Sequence, residues 1–287
     1  MQTVFSVGTD ALAYGMVLFV ISIGLSVTMG LMRVVNLAHG AFAMIGGYIA
    51  SYAAHMLGLG YAVAILLAVA GTILISIPVE RFLFRRIYGA PELTQVLMTI
   101  GITFCVIGIA NYVFGPTLKT IPLPELLRGP VDLGYRSIAA HKLFAIACGA
   151  LVALSLWVLI DKTSFGVRLR ASVDNAAMAA SLGVRTRIVY AVSSAVAVGL
   201  AAFGGIVGAE LLPIEPYYAL RYMVTFLVVV SVGGAGSIPG ALLACLVLGA
   251  IDTTGRYLVP EYGEFFFYLA VIAIVCLFPN GLLGRKK

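Results

Sequence analysis

Long apolar runs separated by short charged segments dominate the pattern of this chain. A helix that crosses about 30 Å of hydrocarbon needs about 20 apolar residues. Seven stretches meet or nearly meet that length: 12–31, 34–57, 61–80, 93–114, 142–160, 188–210 and 265–280. The pattern predicts an all-α integral membrane protein that forms a single transmembrane domain over residues 1–287, with about seven to eight transmembrane helices.

A further apolar region, 224–253, is interrupted in its middle. The interrupting residues are Gly233, Gly234, Gly236, Ser237, Pro239 and Gly240. Glycine and proline at that density end a helix, which leaves two pieces of about 10 and 13 residues, each too short to span alone. The region is either a re-entrant helix pair that turns at the glycines or a single broken crossing.

Lysine and arginine predict the orientation, since they gather on the cytoplasmic side of membrane proteins. The basic segments 81–92, 161–187 and 285–287 are therefore expected in the cytoplasm. Segment 115–141, rich in proline, is then a structured external loop. A re-entrant pair at 224–253 keeps the tail inside, so this charge pattern favours it. The N-terminus is expected outside and the C-terminus in the cytoplasm.

Composition agrees with this topology and excludes other classes. The 287 residues are 62% hydrophobic and 10% charged, against about 45–50% and 25% in soluble domains. A soluble enzyme, a disordered chain, a fibrous protein and a nucleic-acid-binding domain are excluded, and the net charge of +6 reflects the cytoplasmic bias. The four cysteines lie in apolar stretches and are interpreted as small buried hydrophobic residues.

The charges that are present avoid most of the predicted spans. Asp, Glu, Lys and Arg are absent from 12–31, 34–57, 61–79, 93–114, 188–209, 224–251 and 265–280. Machines driven by protons or voltage usually keep such groups in the membrane. No lysine follows a glycine, so a nucleotide-binding P-loop is excluded. We expect no catalytic residue, cofactor or metal site, and an energy supply from another subunit.

Several polar residues are candidates for a translocation pathway or gate. Asn36, His39 and Gly40 open the second span; Asn36 either caps the helix with His39 bonded to a neighbouring backbone, or the pair forms a polar gate. Gln95, Thr99 and Thr103 recur every four residues and share one helix face. Small residues form two further stripes: Ser22, Ser26 and Gly30, and Ser193, Ala197, Ala201, Gly205 and Gly208. Each stripe serves either close helix packing or pathway lining.

The cytoplasmic loop 161–187 contains a short alanine-rich helix, expected from Asp174 to Leu182. Asp174 or Ser172 can cap its start, and Gly183 suits the left-handed position after its end. With so little to bury, an exposed helix of this kind is either a docking element for another protein or an interfacial helix lying on the membrane. The candidate residues for docking are Arg170, Asp174, Asn175, Ala176, Ala179 and Gly183.

Three of these segments, taken in order, resemble the integral membrane permeases of branched-chain amino acid ABC importers. The first is Arg33-Val34-Val35-Asn36-Leu37-Ala38-His39-Gly40, continuing to Gly46-Gly47-Tyr48. The second is Gly166 to Gly183, which resembles the family's ATPase-coupling loop, although Asn175-Ala176-Ala177 stands where other ABC permeases have Glu-Ala-Ala. The third is the glycine-rich turn Gly233 to Gly240. The likeness extends over residues 10–283.

This resemblance implies a permease subunit for leucine, isoleucine or valine in a bacterial inner membrane. The implied partners are a second, homologous permease, two cytoplasmic ATP-binding subunits and a periplasmic substrate-binding protein, with membrane lipids around the chain. The coupling helix would lie at about residues 172–183. Two alternatives stay open: an ABC permease for urea, short amides or other amino acids, and a self-sufficient channel for small neutral solutes.

Overall fold

The computed structural model describes residues 2–31, 34–87, 89–132, 137–279 and 281–283. The basic tail 285–287 and Arg33 of the first motif, both used in the sequence predictions, lie outside the described residues. Nearly all of the described chain is helical, as the apolar runs predict.

The first half of the chain supplies six helices. They are α1 (Gln2–Leu31), α2 (His39–His55), α3 (Tyr61–Val79), α4 (Arg85–Ile87), α5 (Glu92–Phe114) and α6 (Glu125–Arg128). A π-helical turn, Glu80–Phe84, joins α3 to α4 without a break. The short strands β1 (Pro130–Asp132) and β2 (Ser137–Ala139) then form an antiparallel hairpin.

The second half supplies seven more. They are α7 (Ala140–Trp157), α8 (Ser164–Asp174), α9 (Ala176–Ser181), α10 (Thr186–Val207), α11 (Tyr218–Gly233), α12 (Ile238–Leu258) and α13 (Gly263–Leu277). A π-helical turn, Val158–Lys162, extends α7, and a 3₁₀ turn, Pro260–Tyr262, precedes α13.

Seven helical stretches within the described residues are long and apolar enough to cross a membrane. They are Phe5–Gly30, Tyr61–Ile87, Glu92–Phe114, Ala140–Lys162, Thr186–Val207, Ile238–Leu258 and Pro260–Leu277. The predicted all-α membrane architecture is therefore confirmed. The predicted second span, 34–57, is shorter than expected, because its helix begins only at His39 and has 17 residues, or about 26 Å at 1.5 Å per residue.

Helix α1 forms the centre of the bundle. Of its most apolar stretch 83% is buried inside the protein, against 11% for α13. It packs against α7, α10, α11 and α12. Since lipid supplies no water to drive helices together, such contacts depend on close packing, and α1 has small residues where its neighbours touch it.

Glycines let α12 approach α1 backbone to backbone. A Cβ atom at Gly15 would lie 2.7 Å from the carbonyl oxygen of Cys245, and one at Gly249 would lie 2.9 Å from that of Ala11. The two helices therefore run antiparallel, and both ends of the bundle can be named from α1. We call them the Asp10 end and the Gly30 end.

The region 224–253 differs from its prediction. Its first helix, α11, has 16 residues, and its second, α12, has 21 and is itself a candidate span. The expectation of two pieces of about 10 and 13 residues is wrong, because the helices extend beyond both limits of the region, back to Tyr218 and on to Leu258. They form a hairpin that turns at the Gly30 end of α1.

Two smaller expectations are also resolved. Segment 115–141 is structured: it holds α6 and the β-hairpin, and the Lys119 amide donates to the Ile214 carbonyl oxygen at 2.9 Å. All four cysteines are free, but Cys105 and Cys276 are exposed on α5 and α13. The interpretation of the cysteines as buried is correct only for Cys148 and Cys245.

Candidate functional site

An irregular segment, residues 34–38, connects α1 to α2 inside the bundle. It is not helical, and two of its backbone amides donate to side chains of α5. The Val35 amide donates to Gln95 Oε1 at 2.9 Å, and the Leu37 amide donates to Thr99 Oγ1 at 3.2 Å. Irregular backbone is tolerated at membrane depth only where protein or water covers it, and here α5 supplies that cover.

Gln95 also holds the start of its own helix. Its Nε2 donates to the carbonyl oxygens of Ile87 at 3.3 Å and Ala90 at 3.1 Å. Gln95, Thr99 and Thr103 are all buried. The structure thus brings Gln95 and Thr99 together with the Asn36 segment, whereas Thr103 lies a turn further along and donates only to the Thr99 carbonyl oxygen, at 2.9 Å.

Asn36 does not cap α2. The capping position is Ala38, which makes no side-chain capping bond, while Asn36 Oδ1 accepts the Ala38 amide at 3.1 Å. Asn36 therefore closes a local turn that delays the start of the helix to His39. The prediction that it caps the helix is wrong, because the chain needs this turn before it can enter α2.

His39 reaches across to the middle of α1. Its Nε2 lies 2.7 Å from the Ile21 carbonyl oxygen, so the bond to a neighbouring backbone that one of the two sequence alternatives contained is present. Its Nδ1 is buried without a hydrogen-bond partner among the described residues. The next residue, Gly40, packs closely against α11, where a Cβ atom would lie 3.2 Å from Ala219 Cα. His39 and Gly40 thus join α2 to α1 and α11.

The small-residue stripe of α10 serves helix packing. Gly204 faces Ile21 of α1, and Gly205 lies against the Ala43 backbone of α2. At Gly24 of α1, a Cβ atom would meet the Ala197 carbonyl oxygen at 2.5 Å. These close approaches show that Ala197 and Gly205 of the stripe, together with Gly204, serve helix packing.

The glycine-rich turn is held between the ends of two other helices. Gly234 and Gly236 have φ angles of 88° and 82°, which favour glycine. The Gly236 amide donates to Ser26 Oγ at 3.2 Å, and a Cβ atom at Gly30 would overlap the Gly236 backbone. The Ser26 and Gly30 stripe therefore packs against the turn.

The rest of the turn starts α12 and meets the chain beyond α13. Ser237 caps α12 by accepting the Gly240 amide at 3.1 Å, and Pro239 occupies the first turn, where its missing amide costs nothing. Gly240 packs against the Gly233 carbonyl oxygen. Leu282 donates its amide to the Val232 carbonyl oxygen at 2.7 Å, which fixes the turn to the last described residues.

Helices α8 and α9 form a projecting hairpin between α7 and α10. Arg170 fixes α8 to the end of the α7 span, since its Nη1 donates to the Ile160 carbonyl oxygen at 2.9 Å and lies 3.5 Å from Asp161 Oδ1. Tyr190 of α10 donates its hydroxyl to the Ser172 carbonyl oxygen at 2.7 Å. The hairpin is thus bonded to both neighbouring spans.

The short helix α9 starts later than predicted. Its cap is Asn175, whose Oδ1 accepts the Met178 amide at 2.9 Å, and not Asp174 or Ser172. Asp174 is instead the last residue of α8, so the predicted helix from Asp174 to Leu182 is broken at Asn175. Gly183 has φ +85°, as expected for the residue that ends a helix.

The α9 surface is only partly the smooth alanine face that was expected. Ala176 is exposed, but Ala179 is buried, with 3% of its surface accessible, because α9 packs back on α8 and α10. Met178 and Leu182 are 59% and 78% exposed and make the apolar part of the outward face. A docking partner would meet these two residues and not Ala179.

A polar cavity of about 570 Å³ at the Asp10 end was missed by sequence reasoning. It lies between the ends of α1, α11, α12 and α13. Its charged lining residues are Asp10, Lys142, Arg221, Asp252, Arg256 and Glu264. Asp252 lies one residue beyond the charge-free stretch 224–251. The signal that could have found it is the spacing of four between Asp252 and Arg256, which places acid and base on one helix face.

Ion pairs organise the cavity. Arg256 Nε lies 3.0 Å from both carboxylate oxygens of Asp252, a residue only 5% exposed. Arg256 Nη2 lies 3.6 Å from Glu264 Oε1. Lys142 Nζ lies 2.7 Å from Asp10 Oδ1. Asp252 is the buried member of these pairs, and a buried charge persists only when it is paired. Its bond to Arg256 is therefore what permits a charge this close to the apolar core.

This arrangement defines a class: a polytopic membrane permease whose spans surround a central helix, with a helical hairpin projecting at one end. The chain belongs to the family described as branched-chain amino acid transport system / permease component, whose model matches residues 9–275. The family is one of transport permease subunits. The resemblance seen in the three sequence motifs is therefore confirmed.

Named relatives cover nearly the whole chain. The high-affinity branched-chain amino acid transport system permease protein LivH of Escherichia coli (strain K12) is 28% identical in an alignment 283 positions long, which covers 93% of this chain and 91% of that protein. The permease protein BraD of Pseudomonas aeruginosa is 27% identical over 97% of this chain and 95% of its own. A probable branched-chain amino acid permease of Methanocaldococcus jannaschii is 26% identical, covering 96% and 90%. No solved structure matches the chain.

Proposed function

We propose that the chain is the permease subunit of an ATP-driven importer for leucine, isoleucine and valine in a bacterial inner membrane. It forms a single transmembrane domain and lines the translocation pathway with a second, homologous permease. Two cytoplasmic ATP-binding subunits supply the energy, since the sequence has no P-loop. A periplasmic binding protein delivers the amino acid. The family match and the names of the relatives support this proposal.

The α8–α9 hairpin is the observation that carries the ATP-driven part of the proposal. It presents Met178 and Leu182 outward while Arg170 bonds it to α7. A force applied to α9 by a bound ATPase would therefore reach a membrane span through a hydrogen-bonded contact and not through a free loop. Exposed apolar residues of this kind mark interaction surfaces.

Orientation follows from the position of the basic residues. The arginine-rich end of α3 lies beside the start of α10, where Arg81 and Arg85 line the same surface cleft as Ser194. This start of α10 lies near the Gly30 end, since Gly24 of α1 packs against Ala197. The hairpin, with Arg168 and Arg170, lies at the same end, because Leu169 of α8 lines a small cavity together with Val27 of α1. The positive-inside rule places the Gly30 end in the cytoplasm and the Asp10 end outside, so the N-terminus is external and the C-terminus cytoplasmic.

The junction of residues 34–39 with α5 is the proposed gate. Here irregular backbone lies between α1, α2 and α5, and two of its amides, those of Val35 and Leu37, donate to side chains that can change partner. His39 Nδ1 is an unused polar atom beside it. A small movement of α1 at Ile21 would act directly on His39, and through it on Asn36 and Gly40.

The test is to place a charge on the docking face. Met178→Asp is expected to abolish ATP-dependent leucine uptake and co-purification of the ATP-binding subunits, because a carboxylate would have to be desolvated in an apolar contact. Leu126→Asp is the matched control, since Leu126 is 89% exposed on α6 at the opposite end. Normal uptake in the Met178 variant, with membrane insertion equal in both, would contradict ATPase docking at this surface.

A further inference from the structure

We propose that the cavity at the Asp10 end binds a free amino acid in its zwitterionic form. The inference rests on the proposed function and deepens it, since it assigns to this chain its own substrate site. The volume of about 570 Å³ lies within the range of small-molecule pockets. An aliphatic amino acid fits inside it.

The cavity carries groups of both signs, as the recognition of a zwitterion requires. Three carboxylates, Asp10, Asp252 and Glu264, and three cations, Lys142, Arg221 and Arg256, line it. Arg221 is already paired at 2.8 Å with Glu215, which lies outside the lining. A ligand with one ammonium and one carboxylate adds no net charge to this set.

Arg256 is the residue best placed to receive the ligand carboxylate. Its Nε is fixed by Asp252, while its Nη2 is 3.6 Å from Glu264, an ion-pair distance longer than a hydrogen bond. The guanidinium therefore keeps its outer N–H groups for a planar carboxylate, which it can bind with two parallel bonds. Glu264, displaced from Arg256, is then free to accept the ligand ammonium.

Apolar side chains provide the remaining wall. Leu211, Leu212 and Phe267 line the same cavity, and Leu212 and Phe267 are buried against the core. A branched aliphatic side chain placed against them would lose its contact with water, which is favourable in proportion to the apolar area removed. The combination of two charges and an apolar wall distinguishes an amino acid from an ion or a sugar.

The floor of the cavity is closed by aromatic rings that lead to the proposed gate. Tyr222 lines the cavity, and its ring lies 4.8 Å from that of Tyr218 and 6.3 Å from that of Phe226. Phe226 in turn faces Gly40, where a Cβ atom would lie 3.4 Å from its ring. The Tyr218 hydroxyl is buried without a partner among the described residues. A ligand that contacts Tyr222 in the cavity is therefore connected, through the ring of Phe226, to the start of α2.

The experiment measures binding of tritiated leucine to the full-length chain in lipid nanodiscs. Valine and isoleucine are expected to compete, whereas leucinol, which lacks the carboxylate, and 4-methylpentanoate, which lacks the ammonium, are not. Arg256→Gln and Arg256→Lys are expected to weaken leucine binding about tenfold or more, the second because lysine cannot form the paired bonds of a guanidinium. The matched control is Arg128→Gln, on the exposed helix α6.

A second measurement reports on the site even where the arginine variants fold poorly. Thr253→Cys places a thiol on the cavity wall, and leucine is expected to protect it from a membrane-impermeant thiol reagent applied to intact cells. Labelling of the native cysteines, measured in the unsubstituted chain, gives the background signal. Labelling that leucine does not slow would overturn the proposal, as would equal competition by leucinol.

Transport separates this inference from the proposed function. If the assembled importer takes up leucine and the Arg256 variants do so with an unchanged KM, the cavity is not a substrate site while the permease function stands. If the importer takes up no branched-chain amino acid at all, the proposed function fails. Absence of leucine binding to a wild-type chain that supports uptake would likewise overturn the cavity proposal alone.

Discussion

Replacing Thr99 by valine tests whether α5 supports the irregular segment before α2. Valine keeps the shape of threonine but removes the Oγ1 that accepts the Leu37 amide at 3.2 Å. Both partners are buried, and Thr99 is 0% exposed. An amide left without a partner in such a place costs about 1–3 kcal/mol. We expect the free energy of unfolding in mixed micelles, measured by detergent titration, to fall by that amount.

Thr103→Val is the matched control for this prediction. Thr103 is equally buried on the same face of α5, but its hydroxyl only donates to the Thr99 carbonyl oxygen. In the Thr103 variant the Thr99 carbonyl oxygen still accepts its helical backbone hydrogen bond. The free energy of unfolding is therefore expected to fall by no more than about 0.5 kcal/mol. Equal destabilisation by the two substitutions, or none by either, would refute the idea that Thr99 holds the irregular segment 34–38 in place.

Four further predictions concern single glycine and asparagine positions in or beside the helices. Gly30→Ala is expected to destabilise the chain by about 1–3 kcal/mol in the same titration, since its Cβ would overlap the Gly236 backbone. Gly108→Ala, which has open space around it, should instead stabilise α5 by about 0.5–1 kcal/mol. Gly183→Ala, at φ +85°, should cost about 1 kcal/mol and speed hydrogen exchange in α9. Asn175→Ala should cost about 1 kcal/mol by removing the α9 cap, whereas Asn175→Asp should retain most of it. Unchanged exchange in α9 would contradict the last two predictions.

Local patterns predicted those features that depend on local physics. The length of an apolar run decides whether a helix can cross, so most spans were placed to within a few residues. Gly183 and the glycine-rich turn were correctly predicted as breaks, because positive φ and missing side chains act on the chain directly. The cap of α9 was predicted at Asp174 or Ser172, one or three residues before the observed cap Asn175, since all three residue types are competent caps.

The sites depended on contacts between distant parts of the chain. Gln95 and Thr99 were recognised as a stripe, but their partners Val35 and Leu37 lie about 60 positions away. These partners belong to the irregular segment 34–38, which no periodicity reveals. Ala179 was predicted on an outward face and proved buried, because the break at Asn175 turns α9 onto α10. The cavity was not predicted, because its charged residues come from the ends of several helices and none of these helix ends shows a distinctive sequence pattern by itself.

The sequence by itself determined that this protein crosses the membrane many times, with its charges kept to the ends of the helices. The cost of exposing polar groups to hydrocarbon acts on every span separately, so composition and spacing suffice to show it. Only the tertiary structure decided which of those charges meet. Asp10, Asp252 and Arg256 surround one cavity because α1 and α12 run antiparallel through glycine contacts. That geometry arises from packing between helices far apart in the chain, which no local pattern contains.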